Sequence, residues 1–259
     1  MTLDVTQAIT IQQLPSPIIS ITSTAIPLQL HDSTSPDAFE IIVGIWDGVS
    51  SPSSFYIPTI HIWKDGYAMW VDRGIDQVYH IYETFLSTDE IMQAESTISR
   101  ADFWAYEGPT VQIPDATVLT IWVNQSEREK SLALRYAPQF ETMVSSLRDT
   151  LEASSTKTEY FPKQGYIYTS KAASYLEDNG FAWPDDQLNF DFSKSEQGSL
   201  IDGPTLSALW QITQQNYFWI TSRGIPYKYE LRIPGLTCLY TWDETKHEWQ
   251  YKLFEFESR

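Results

Sequence analysis

The sequence predicts an α+β fold: antiparallel sheets with two or three main helices, arranged as two similar tandem lobes after an N-terminal β segment. Three observations lead there. Aromatic side chains, which favour pleated and half-buried surfaces, make up 14% of the 259 residues, with ten Trp, fifteen Tyr and twelve Phe. Short alternating apolar runs are joined by turns too brief for a parallel crossover, which takes about a dozen residues or more. Between these runs lie segments with helical periodicity and helix-start signals. With 42% hydrophobic residues the chain can pack a core without covalent staples. The expected units are a β segment over 1–54 packing on the first lobe, a first lobe over 55–153 and a second over 158–259.

In residues 1–30, Ile9-Thr-Ile11 and Ile18-Ile-Ser-Ile21 alternate as strands do, while Pro15, Pro17 and Pro27 bar them from the middle of a sheet. A polar loop over 31–37 precedes Phe39-Glu-Ile-Ile-Val-Gly-Ile-Trp46, a buried strand that Asp47-Gly48 and a Ser/Pro cluster end. Thr59-Ile-His-Ile-Trp63 and Tyr67-Ala-Met-Trp-Val71 flank Lys64-Asp65-Gly66, and Asp-Gly supplies the positive φ of a tight hairpin. A third strand is expected over 77–82.

Ser87-Thr-Asp-Glu90 is a capping box, opening a helix to about residue 99 with Ile91, Ala94 and Ile98 on one stripe. Phe103-Trp104 and Gly108-Pro109 break the chain before a hairpin formed by 117–123 and 132–136 across polar residues 124–130. A second helix over about 139–153 places Phe140, Met143, Val144, Leu147 and Leu151 on one face. Residues 154–158 serve as linker.

The second half echoes the first. Lys163-Gln-Gly-Tyr166 repeats the Lys-x-Gly-Tyr of Lys64-Asp-Gly-Tyr67. Asp202-Gly-Pro204 starts a helix carrying Leu206, Leu209, Trp210 and Ile212, with Pro at its favoured first turn. Phe218-Trp219 answers Phe103-Trp104, and a hairpin whose first strand ends at Trp242 answers the one containing Trp122. An insertion falls in 170–200, where Lys171-Ala-Ala-Ser-Tyr175 reads as a short helix before Asp178-Asn-Gly180 and Trp183-Pro184. True repeats would place the helices at 88–99 and 204–215 in equivalent surroundings.

Seventeen basic residues against thirty-four acidic ones give a net charge of −17 and an isoelectric point near 4.5. That balance argues against nucleic acid, which needs a basic footprint, and against anionic membranes. The N-terminal residues carry no basic and apolar leader, so a cytoplasmic location is expected, a trimmed secreted form being the alternative. Cys238, the single cysteine, lies in an apolar strand pattern and reads as a small buried hydrophobe.

Three constellations carry candidate chemistry. His61 and His80 could face each other across neighbouring strands, with Asp72 or Asp76 as further metal ligands, though strand histidines on a half-exposed sheet are the simpler reading. Asp185, Asp186, Asn189 and Asp191 put oxygen ligands into one short loop, as calcium prefers, without the glycine and bidentate glutamate of an EF-hand. A solvated acidic loop is the simpler reading of them. Asp65, Asp72, Asp76 and Glu83 around the first hairpin are the nearest source of the two carboxylates that glycosidase chemistry asks for. Neither a Gly-x-Ser-x-Gly elbow nor a glycine-rich phosphate loop occurs.

Tyr240, Trp242, Trp249 and Tyr251 fall on alternate positions across the turn at 243–246 and predict cross-strand pairs on one face. Such a face binds sugars, peptides or proteins, or fills the space under a helix. No cofactor is predicted. The leading expectation is a non-enzymatic interaction module, of inhibitor or immunity type, whose acidic surface engages a basic protein. The alternatives are a hydrolase acting on carbohydrate or peptide through an acidic pair, and a structural domain of a larger assembly. The seam between the lobes is the first place to look for a ligand site.

Overall fold

A computed structural model describes residues 39–46, 57–73, 78–108, 118–125, 128–134, 137–172, 180–215, 219–243 and 248–253. The calls on residues 1–38, on Asp76, on 173–179 and on Phe218 lie outside them.

The first element is β1 (Phe39–Trp46), followed by β2 (Ile60–Ile62), β3 (Tyr67–Arg73) and β4 (Tyr79–Phe85). Helix α1 (Thr88–Arg100), strands β5 (Val118–Gln125) and β6 (Arg128–Leu134), helix α2 (Pro138–Glu152) and the two-residue β7 (Thr158–Glu159) complete a seven-stranded sheet with its helical cover. The strand order is β6-β5-β1-β2-β3-β4-β7, antiparallel throughout. Strand β1, from the segment expected over 1–54, sits within this sheet between β5 and β2, and β7, from the start of the expected second lobe, extends the sheet past β4.

Then come β8 (Gln164–Lys171), β9 (Phe181–Ala182), a 3₁₀ turn at Phe192–Lys194, β10 (Ser199–Asp202), helix α3 (Gly203–Gln214), β11 (Trp219–Ser222) and β12 (Ile225–Arg232). These strands form a five-stranded sheet in the order β10-β8-β12-β11-β9, in which only the short β11–β9 pair is parallel. Strands β13 (Cys238–Asp243) and β14 (Glu248–Leu253) form a separate ribbon, and β14 runs close to β6. The fold is therefore α+β with antiparallel sheets.

Local chemistry explains the helices. Ser87 accepts from the Glu90 N–H while the Glu90 carboxylate accepts from the Ser87 N–H, the reciprocal box read in the sequence. Replacing Ser87 by alanine is expected to lower stability by about 1 kcal/mol; denaturant unfolding checks it, and an unchanged midpoint would show the cap to be redundant. Helices α2 and α3 use Pro in their first turns.

The seven-stranded sheet is covered on both faces. On one side Ile41, Val43, Ile60, Ile62, Ala68, Trp70, Ile121 and Val123 pack against α1 and α2, which contribute Ala94, Ile98, Phe140, Met143, Leu147 and Leu151. On the other side Trp63, Tyr67, Met69, Ile81 and Tyr160 join a second core with α3 and the five-stranded sheet. Helix α3 buries Leu206, Leu209, Trp210, Ile212 and Gln214, a wider arc than one apolar stripe, because it meets β8, β10 and β12 as well as Tyr160 of the seam.

The two Lys-x-Gly-Tyr segments occupy different structures. Gly66 turns the β2–β3 hairpin at φ +83°, whereas Gly165 lies inside strand β8. Helix α1 packs on α2, while α3 packs on strands. The structure does not establish the halves as copies. Lys171, expected to open a short helix, ends strand β8 opposite Tyr227.

Candidate functional site at the seam between the sheets

Strand alternation sends odd-numbered residues of β2, β3 and β4 toward the second core, and antiparallel register lines them up. One rank runs Trp122, Ile42, His61, Met69 and Glu83 across β5, β1, β2, β3 and β4. Beside it, the Trp63 N–H donates to the Tyr67 carbonyl and Tyr67 stands opposite Phe85. Ring centroids are 5.1 Å apart for both Trp63–Tyr67 and Tyr67–Phe85, and His61 stacks on Trp63 at 3.5 Å.

Carboxylates accompany these rings. His61 Nε2 lies 3.0 Å from Glu40 Oε1, and the Trp122 indole N–H donates to Glu129 at 2.7 Å. The Tyr67 hydroxyl donates to Glu83 Oε2, and the Tyr67 backbone N–H donates to Asp65 Oδ1 at 3.0 Å. Two of the four acids singled out in the sequence, Asp65 and Glu83, thus contact the same tyrosine at opposite ends, Asp65 at its backbone N–H and Glu83 at its hydroxyl. Asp72 points to the other side of the sheet, where it pairs with Arg148 of α2 at 3.3 Å.

Tyr160 enters this place from β7, its N–H bonded to the Ile81 carbonyl and its ring set edge-on to Trp210 at 5.9 Å. Its hydroxyl is buried without a hydrogen-bond partner. Burial, then the bond to and charge of Glu83, push the Tyr67 hydroxyl far above the usual phenol range. Burial and then the Glu83 charge push Tyr160 the same way. Both phenols stay protonated at neutral pH, so the seam holds hydroxyls beside a carboxylate in a field that disfavours further negative charge.

The remaining sequence candidates are placed as follows. His61 and His80 do not face each other, because β3 lies between their strands; His80 stands opposite Asp72 and pairs with Glu159 at 3.0 Å. Asp185 accepts from the Ser222 hydroxyl and from the Arg223 N–H, each at 2.6 Å, and Asn189 Oδ1 accepts from the Arg223 guanidinium. Asp191 accepts from the Ser193 hydroxyl, pairs with Lys194 and caps the 3₁₀ turn through the Ser193 N–H, and these contacts hold its carboxyl below the ordinary range. Asp186 is exposed. Asp185 and Asn189 thus converge on Arg223, while Asp191 serves the 3₁₀ turn and Asp186 faces solvent. Among the described residues no group of three or more His, Cys, Asp or Glu is placed to hold a metal ion. In the ribbon, Tyr240 is registered with Tyr251 and Trp242 with Trp249, so the four positions share one face.

A second feature lies on the opposite layer. Helices α1 and α2 carry six carboxylates, at 89, 90, 95, 141, 149 and 152, against the two arginines Arg100 and Arg148. Asp89, Glu141 and Asp149 are exposed. Arg100 turns back to the Ser96 carbonyl, and Arg148 is taken by Asp72. No helix among the described residues is long and apolar enough to cross a membrane.

Tyr67 and Tyr160, the centre of the seam, were absent from the sequence candidates. Tyr67-Ala-Met-Trp-Val71 is apolar at both parities, the mark of a strand covered on both faces, and that signal pointed to a second layer over Tyr67. Comparison with known proteins identified no matching family model, no matching curated protein and no matching solved structure.

Proposed function

We propose that the protein is a non-enzymatic binding module that engages a basic protein through the outer face of α1 and α2. The observation that carries this reading is the acidic excess of that layer, six carboxylates against two arginines with Asp89, Glu141 and Asp149 exposed, on a chain of net charge −17. A field of one sign over a rigid helical face accelerates encounter with an oppositely charged partner and selects against acidic ones. Helices held by a continuous core present those charges in fixed positions, which lowers the ordering cost of binding.

The test is affinity capture from an extract of the source organism at low and high salt, run in parallel with the Asp89→Lys, Glu141→Lys, Asp149→Lys triple variant. The expected result is a basic protein retained at low salt and released at high salt, with association at least about tenfold slower for the triple variant. Equal capture by the variant, or no basic protein at low salt, overturns the proposal.

A second reading is a hydrolase acting on carbohydrate or peptide, for which Asp65 and Glu83, bonded to the backbone and the hydroxyl of Tyr67, are the candidate acids. Turnover of a glycoside or peptide panel that disappears in Glu83→Gln would favour it over the binding module.

A further inference from the structure

The seam has a property that neither reading uses. Glu83 is half-buried among aromatic residues, and no lysine, arginine or histidine among the described residues pairs with it. A carboxylate withdrawn from water in such surroundings is stabilised by a cation and by donors to both of its oxygens. Tyr67 satisfies Oε2 alone. Close by, the Tyr160 hydroxyl is 4% exposed as a residue and has no partner. Strand register brings the two residues to one place: Thr158 of β7 stands opposite Glu83, and the Tyr160 N–H is bonded to the carbonyl of Ile81, two residues before Glu83 on the same face of β4.

We propose that the seam binds a primary ammonium group, held by the Glu83 carboxylate and the Tyr160 hydroxyl oxygen against the Tyr67 ring. The chemistry of the site selects this cation. An ammonium has three donors on a compact point charge, enough for the free carboxylate oxygen and a phenol oxygen. Tyrosine and tryptophan faces add cation–π attraction, and Trp63 stands beside Tyr67. A guanidinium forks onto both oxygens of a carboxylate, and Tyr67 already holds one of them. Approach is from the end of β4, where Phe85, opposite Tyr67, is 42% exposed. The ammonium belongs either to a free small amine or to a lysine side chain of a partner protein.

Titration of the full chain with n-butylammonium, n-butanol and n-butylguanidinium, followed by tyrosine and tryptophan fluorescence, tests the proposal. The expected result is saturable binding of n-butylammonium, with the neutral alcohol and the guanidinium each at least about tenfold weaker. Glu83→Gln, which keeps an oxygen for Tyr67, is expected to weaken the amine at least about tenfold, and Tyr160→Phe to weaken it severalfold with the fold unchanged. Tyr160→Phe leaves every hydrogen bond of the described residues in place, so it remains informative if Glu83→Gln fails to fold. Equal binding of butanol and butylammonium, no saturable amine binding, or unchanged affinity in the variants overturns it. In a further arm, Nα-acetyl-lysine amide binding more tightly than n-butylammonium assigns the site to a lysine side chain, and weaker binding assigns it to a free amine. Charge reversal at Asp89, Glu141 and Asp149 is expected to leave amine affinity unaltered, which separates this site from the helical face.

Discussion

Replacing Trp70 by alanine is expected to cost about 3–5 kcal/mol of folding stability, the range for emptying a large aromatic site in a core. Trp70 lies in β3 near the middle of the seven-stranded sheet and is fully buried among residues of α1, α2 and four strands. Its indole N–H also donates to Glu152 Oε1 at 2.6 Å, its ring lies 5.7 Å from that of Tyr82, and the Lys157 ammonium sits over both rings. The residue thus joins the sheet to the last turn of α2. Trp70→Phe separates the two contributions, since it keeps an aromatic filling and removes the bond to Glu152. Urea unfolding of both variants checks the division. A loss below about 1 kcal/mol for Trp70→Ala would show that the neighbouring helices collapse into the space.

The same residue has an acid-side consequence. Burial raises the Glu152 carboxyl, but bonds from Lys157 and Trp70 and the charges of Lys157 and Arg148 outweigh it and hold the group below its ordinary value. A carboxyl depressed in the folded state contributes stability above its unfolded pKa, near 4.3, and that contribution is lost as pH falls through the folded value. Trp70→Phe moves the folded value back toward the unfolded one. The variant is therefore expected to lose less stability than the parent between neutral pH and about pH 3.

The second large effect is Gly66→Ala, expected to cost about 2–4 kcal/mol from the strain of a left-handed backbone together with crowding. Gly66 has φ +83°, and an added Cβ would come within 2.9 Å of Ile91 Cδ1 and 3.1 Å of the Leu86 carbonyl oxygen. That carbonyl belongs to a fixed backbone crossing, because the Leu86 N–H donates to the Gly66 carbonyl at 2.8 Å. Gly224 supplies the control. It has φ +73° with nothing within 4 Å of the added carbon, so Gly224→Ala bears the backbone strain alone, about 1 kcal/mol. Thermal unfolding of the two variants side by side isolates the contact. Equal losses would mean that Ile91 and the Leu86 segment yield without cost.

The elements readable from the sequence are those whose signals are local. Ser87 and Glu90 satisfy each other within one turn of helix. Asp65 and Gly66 meet the backbone demands of the β2–β3 turn, with Asp65 accepting the Tyr67 N–H. Phe140, Met143, Val144, Leu147 and Leu151 declare the inner face of α2 by spacing alone. The ribbon register of Tyr240 with Tyr251 and Trp242 with Trp249 follows from alternation across a short turn. In each case the energy that selects the conformation comes from residues a few positions apart, so a window of sequence contains it.

The β11–β12 hairpin was not legible, and its turn shows why. Arg223 adopts φ +51° ahead of Gly224 at +73°, a turn that ordinarily calls for Asn or Asp before Gly. Here a distant carboxylate does the holding, with Asp185 accepting both the Arg223 N–H and the Ser222 hydroxyl from 38 and 37 residues away. The seam is a stronger instance. Glu83 was visible as an acid near the first hairpin, but its bond to the Tyr67 hydroxyl depends on the register of β3 with β4, and Tyr160 arrives from beyond α2.

By itself, then, the sequence determined the α+β class, the three described helices, the first hairpin and the acidic surface, since propensity, capping, periodicity and charge count act within short stretches of chain. Tertiary structure decided that β1 lies inside the seven-stranded sheet, that both faces of that sheet are covered, and that one carboxylate and two phenols converge between the layers. Those outcomes rest on strand order and on burial between distant segments, where contact energy depends on which surfaces meet rather than on which residues are neighbours in the chain.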